Sequence, residues 1–320
     1  MTMTEELAVR AATAQAGRRS RSGVSGQSRL ERRWGLLLAL PAIAGFIVFT
    51  LVPMAASAVL SLTDWTIGSS PSFVGVDNYV QMFTRDPLFL KSLGVTTYYT
   101  LGAVPLTLVV AFAIAMLLNA KVRGLGVYRT IYYLPTLVPS VANAVLWLWI
   151  FNPDFGLLNS TLRQLGLPTS NWVFSETVVV PSLILMSTWG FGNIMVIFLA
   201  GLQGVPRHLY EAVAIDGGGA WRQFRHVTLP MMTPVLFYNL VTSIIGTFQV
   251  FNQAYIMTQG GPNNASTFYV YYLYTTAFTK SAMGYASALA WVLFVLVMVI
   301  TVALFRSSRR WVYYEMGAAR

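Results

Sequence analysis

The sequence predicts an all-α polytopic membrane protein with six transmembrane helices, and three observations carry that prediction. Of 320 residues, 56% are hydrophobic and only 10% are charged, whereas a soluble domain carries about 25% charged residues. The apolar residues fall in six blocks free of Asp, Glu, Lys and Arg: 34–63, 93–119, 130–153, 177–206, 227–279 and 281–305. Each can hold the ~20 residues that cross a ~30 Å hydrocarbon core at 1.5 Å per residue. With both termini cytoplasmic, 17 of the 21 Lys and Arg lie inside, leaving Arg85, Lys91, Arg163 and Lys280 outside. That is the positive-inside asymmetry, so the net charge of +10 reflects topology rather than a nucleic-acid partner.

Residues 1–33 are rich in Arg, Ser, Ala, Gly and Gln and bury too little to fold, which predicts a disordered basic cytoplasmic tail. The spans follow near 35–60, 93–119, 128–150, 178–202, 232–257 and 285–305, within a permease-sized unit of residues 34–310; 311–320 is a second cytoplasmic tail. The first apolar run is too long for a signal-peptide core and is taken as an uncleaved helix. Pro41, Pro53, Pro105, Pro135, Pro139, Pro181, Pro230 and Pro234 lie in or beside the spans, where kinks are tolerated around a cavity or a moving part. The second half of the fifth block, TQGGPNNASTFYVYYLYTTAF, is polar and aromatic and reads as an interfacial loop. NST at Asn159 and NAS at Asn264 match the glycosylation pattern, a coincidence expected in polar loops.

Several chemistries are absent. There are no cysteines and only two histidines, so no thiolate or histidine metal cluster is available. None of the three lysines follows glycine, so the chain has no GK[ST] phosphate loop. None of the six apolar blocks carries Asp, Glu, His, Lys or Arg, whereas proton-driven carriers commonly use one. The composition therefore suits a path for an uncharged or weakly charged solute, with the energy supplied elsewhere. A stand-alone secondary carrier or channel for a neutral polar solute is the alternative.

Two spans carry neutral polar groups. In the fifth, Asn239, Thr242, Ser243, Gly246, Thr247, Gln249 and Gln253 fall within an arc of roughly 160° at 100° per residue, with Asn252 off it. Such groups either bond a hydroxylated solute or bond neighbouring helices. In the fourth, Trp189 and Asn193 share a face beside Gly190 and Gly192. An aromatic plate next to an amide suits a sugar ring; an interfacial tryptophan and packing glycines are the plainer reading. Asn143 is a weaker candidate of the same kind.

Between these spans lies EAVAIDGGGAWRQFRHVTLP, a charged segment with three consecutive glycines. Pro206 suits a first helical turn, Gly217–Gly219 end that helix, and AWRQFRHV forms a second one closed by Pro230. In it Ala220, Phe224 and Val227 share one face, Arg222 and Arg225 another. The segment resembles the EAA loop of binding-protein-dependent ABC importer permeases, in its carbohydrate-type branch. That pattern is EAA, three residues, Gly, nine residues, Ile, one residue, Leu-Pro. Here it is Glu211-Ala212-Val213, Gly217, Val227 and Leu229-Pro230, with Val213 and Val227 the departures.

The resemblance implies a cytoplasmic coupling helix within loop 206–230, docking into an ATPase subunit that binds ATP and Mg; this chain itself holds no cofactor. Glu211 would make polar contacts there, Ala212 and Gly217 would allow close approach, and Asp216 would cap the second helix, with Leu229 and Pro230 leading into span five. It also implies a second, different permease chain, an ATPase dimer and an extracytoplasmic solute-binding protein as partners in the cytoplasmic membrane, besides lipid. Trp189, Asn193, Gln249, Asn252 and Gln253 would approach a sugar-like solute. The outside acids Asp64, Asp77, Asp86, Asp154 and Glu176 tilt against an anionic one.

Overall fold

The structure, a computed structural model, describes residues 24–120 and 124–313. Residues 1–23, and 314–320 of the expected C-terminal tail, lie outside the described residues. The chain forms two compact units, divided between Val59 and Leu60.

The first unit is one long helix, α1 (Val24–Phe46), a π-helical turn (Ile47–Leu51) and α2 (Val52–Leu60). Residues 24–33, expected within the tail, are helical, because a nucleated helix extends cheaply through Leu, Glu and Arg. The π turn has a local cause. Pro53 cannot donate an N–H, and the widened turn, with the Val52 N–H on the Ile47 carbonyl, takes up the missing bond.

The second unit begins with a two-stranded antiparallel hairpin, β1 (Thr63–Asp64) with β2 (Ser72–Phe73). This is a small departure from an all-α chain. Asn78, in α3 (Asp77–Thr84), fastens the hairpin's entry: its amide donates to the carbonyls of Ser61 (2.8 Å) and Thr63 (2.9 Å). Helix α4 (Pro87–Leu118) is the central element of this unit. Asp86 caps it by accepting the N–H groups of Leu88 and Phe89, with Pro87 at the first position.

The expected third span is not one straight helix. It comprises α5 (Leu125–Tyr133), a 3-10 turn (Leu134–Leu137) and α6 (Ser140–Ile150), bent by 96°. Pro139 forces Val138 into an extended conformation, ψ 124°, and the helix cannot continue through it. After α7 (Leu157–Gln164), the fourth region is α8 (Val179–Ser187), a 3-10 turn (Thr188–Gly190) and α9 (Gly192–Gly204), bent by 49°. Among the described residues four helices are long and apolar enough to cross a membrane, or six if each bent pair is one span. The chain is thus a polytopic, mostly helical membrane protein.

The Asn159 match is a coincidence, as expected, and the loop after span five differs from expectation. Asn159 is buried, its amide donating to the carbonyls of Pro153 and Ser170 while its oxygen accepts from the Ser170 N–H and the Trp172 indole. It holds a turn together and offers no glycosylation acceptor. The expected interfacial loop after span five contains α13 (Tyr269–Tyr274) and a π turn (Thr275–Thr279). Its aromatics belong to the core: Phe268 packs edge-on against Tyr99 and Tyr269 against Phe89, with ring centroids 5.2 and 6.0 Å apart. The Tyr269 hydroxyl also reaches the Leu289 carbonyl of α14 (Met283–Ser308) at 2.9 Å.

Candidate functional site

The charged segment folds as a helical hairpin. Helix α10 (Arg207–Ile215) is followed by α11 (Ala220–Gln223), a π turn (Phe224–Thr228) and α12 (Leu229–Phe248). At the turn, the Gly218 N–H donates to the Val213 carbonyl (2.8 Å) and the Gly217 N–H to the Ala214 carbonyl (3.0 Å). This is a Schellman closure, and Gly217 supplies its left-handed residue at φ +74°. Gly218 is needed for space, since a Cβ there would lie 2.5 Å from Val213 Cγ1.

Asp216 does not cap the second helix. It is the C-cap residue of α10, and the N-cap of α11 is Gly219, with no side-chain cap bond. The three glycines carry the chain past Asp216 before α11 begins, so its carboxylate is not placed at that N-terminus. Pro230 likewise does not close α11. The helix runs from Ala220 into α12 because the Leu229 N–H bonds the Phe224 carbonyl across a π turn, the arrangement also seen before Pro53.

The hairpin has two distinct faces. Leu209, Tyr210, Val213 and Val227 pack with Leu118, Leu202 and Met232 against α4, α9 and α12, and the Tyr210 hydroxyl meets Thr228 Oγ1 at 3.1 Å. Glu211, Ala212, Asp216 and Gly217 are exposed on the other side. Glu211 has no ion-pair partner among the described residues and borders a polar recess of about 590 Å³ with Asn119, Gln203 and Arg207. Leu229 faces elsewhere, into an apolar groove with Phe112, Phe198 and Phe224, and Pro230 is half-buried at the start of α12. Two residues that sequence reasoning passed over stand out: Ile215 is 86% exposed and Trp221 71% exposed. A large apolar side chain in an otherwise charged surface segment was the available signal.

The polar groups of the spans are less unified than the helical wheel suggested. Asn239 donates to the Val235 carbonyl, Thr242 to Tyr238 and Thr247 to Ser243, so these donors are committed to their own helix. Helix α12 ends at Phe248 with Gln249 as C-cap, which breaks the stripe. Gln249 is exposed toward α13 and α14, bordering a groove with Leu273, Leu293 and Phe294. Asn252 points to α6, donating to Ser140 Oγ at 2.9 Å. Gln253 is half-buried at the start of a π-helical turn (Gln253–Thr258).

Helix α6 is the element that Trp189 and Asn252 share. Trp189, 45% exposed, meets Trp147 edge-on at 6.0 Å, while Asn252 bonds Ser140 at the helix start. Ser140, Asn143 and Trp147 lie at i, i+3 and i+7, on one face. The Asn143 Oδ1 and the Trp147 Nε1 are buried without hydrogen-bond partners among the described residues, an acceptor and a donor on that same face. Asn193 is exposed on the first turn of α9. The two glycines beside it differ in role. A Cβ on Gly192 would lie 2.7 Å from Thr136 Cγ2 and 2.9 Å from the Tyr132 carbonyl, whereas Gly190 has open space.

The hairpin packs on a bundle of bent, apolar helices, and comparison with known proteins gives the class of protein to which this fold belongs. Residues 103–312 match the family of binding-protein-dependent transport system inner membrane components, and the chain belongs to that family, as a transport permease of the ABC type. A relative from Bacillus subtilis (strain 168), Probable ABC transporter permease protein YesP, is 43% identical over 279 residues, covering 86% of this chain and 90% of its own. The arabinooligosaccharides transport system permease protein AraP of the same organism is 33% identical, covering 83% and 85% of the two chains. The fold also matches a chain of a bacterial alginate ABC transporter solved in complex with an alginate pentasaccharide-bound periplasmic protein. Its TM-score is 0.78 at 22% identity, over 88% of this chain and 96% of that one.

Proposed function

We propose that this chain is one half of the membrane path of an ATP-driven importer for a sugar or related hydroxylated solute, with six spans and both termini cytoplasmic. The α10–α11 hairpin is its coupling element. The observation that carries this reading is the hairpin's exposed face: Glu211 without an ion-pair partner among the described residues, Ile215 and Trp221 uncovered, and the inner face packed on α4, α9 and α12. A cytoplasmic ATPase subunit, binding ATP and Mg, would cover that face. Because α11 is continuous with α12 through the π turn, displacement of the hairpin is carried into a membrane helix without an intervening hinge loop.

The solute path runs along α6, between Trp189 and Asn252, where Asn143 and Trp147 offer one acceptor and one donor away from water. Unpaired buried polar groups are costly, about 1–3 kcal/mol each, and a hydroxylated solute with both donors and acceptors satisfies such a pair. Asn193 and Gln253 flank this region; Gln249 faces away from it and serves the path less directly. Sugar-named relatives, including permeases for arabinooligosaccharides and lactose, support the solute class. A second permease and an extracytoplasmic binding protein complete the assembly. The test is Glu211→Lys and Gly217→Asp: membrane insertion stays normal and solute uptake falls at least about tenfold, the loss of ~1.4 kcal/mol or more of coupling. Normal uptake in both variants removes the hairpin from the mechanism.

A further inference from the structure

We propose that the charged end of α14 holds the headgroup of an anionic phospholipid. A recess of about 490 Å³ opens there, lined by Val302, Phe305, Arg306, Ser308 and Arg309. Arg306, in the last turn of α14, and Arg309, its C-cap residue, both line the recess, and Arg310 follows in the turn beyond the helix. All three are exposed, residues 283–313 contain no Asp or Glu, and none of the three is in an ion pair among the described residues.

The base of the recess is fixed. Phe305 packs edge-on against Phe237 of α12 with centroids 5.0 Å apart, and Phe237 meets Trp311 at 5.8 Å. Beyond the helix the chain folds back: Val312 is buried with Phe237 and Val241, and the Tyr313 N–H donates to Thr233 Oγ1 at 2.9 Å. The arginines therefore project from a rigid footing, which lowers the entropy lost on engaging a ligand.

Chemistry decides the occupant. Guanidinium forks match the oxygens of a phosphodiester in bidentate fashion. From the recess, the exposed side of α14 continues through Val302, Val299, Met298 and Val295, an apolar stripe suited to an acyl chain. A free phosphate would use the arginines and leave the stripe without a role. An anionic lipid uses both, and Trp311 beside it sits where interfacial aromatics anchor membrane proteins. The recess uses no residue of the hairpin or of the α6 face, while Met298 and Val302 also line the groove that Gln249 borders.

Native mass spectrometry of the full-length chain, purified with its accompanying subunits, tests the proposal with phosphatidylglycerol as probe and phosphatidylcholine as control. Wild type retains phosphatidylglycerol selectively, and Arg306→Gln/Arg309→Gln lowers that retention at least about tenfold. Val302→Phe, which fills the recess and keeps both arginines, lowers it as well, and keeps the test open if the double variant fails to accumulate. Excess inorganic phosphate leaves the lipid in place. Unchanged retention in either variant, or displacement by inorganic phosphate, overturns the site.

Discussion

At the scale of single residues, Asp86 ties together three helices that are far apart in sequence. One of its oxygens caps α4, and the other accepts the hydroxyls of Tyr272 (2.5 Å) and Tyr285 (2.6 Å), from α13 and α14. Burial first, and the bond to Asp86 next, push the Tyr272 phenol up, so it remains a donor at neutral pH. Asp86→Ala removes a cap worth about 1 kcal/mol and leaves two phenols without an acceptor. The expected loss is about 2–4 kcal/mol, read as a lower melting temperature in detergent, with Tyr285→Phe well under half of it. A Tyr285→Phe loss equal to that of Asp86→Ala would show that the carboxylate is not the hub. The dipeptide Asp86-Pro87 announces a helix start in the sequence alone, because both residues suit their positions locally. Nothing local announces the tyrosines, which reach Asp86 across 186 and 199 residues. The same limit hid Ser140 from Asn252, whereas Gly217 was legible because the turn it makes is set by its neighbours in the chain.

At the scale of elements, hydropathy locates the apolar runs but is blind to their bends. The break at Val138–Pro139 could be read from the proline, since the preceding residue is held extended. The break at Trp189–Phe191 contains no proline and depends on packing. Gly192 marks that packing, lying against Tyr132 and Thr136 where no side chain fits, while Gly190, two residues away, has open space and an ordinary φ. The sequence shows both only as glycines beside a tryptophan. Gly192→Val is expected to separate α9 from the α5 end and cost about 1–3 kcal/mol by overpacking, with reduced accumulation in the membrane. Gly190→Ala is expected to change stability by no more than ~0.5 kcal/mol. Equal accumulation of the two variants would show that the close approach at Gly192 is not what sets the bend.

At the scale of the whole molecule, the two bent regions decide the topology, and the chain's lack of cysteine makes that testable. If the α5–α6 and α8–α9 regions each cross the bilayer, residues 151–178 lie on the same side as the β1–β2 hairpin. If α5–α6 is instead re-entrant, that loop stays on the side of residues 119–124. The charges favour crossing: Arg163 is the loop's only base, against Asp154 and Glu176. Ser70, Thr169 and His208 are all exposed, so single cysteines there are available to a membrane-impermeant maleimide. With six spans, Ser70→Cys and Thr169→Cys are labelled on intact cells, and His208→Cys only after the membrane is opened. Labelling at Ser70 but protection at Thr169 would make α5–α6 re-entrant. The exposed Glu211 face would then have to be assigned to a side by the His208→Cys result instead, and labelling of His208→Cys on intact cells would put the hairpin out of reach of any cytoplasmic ATPase.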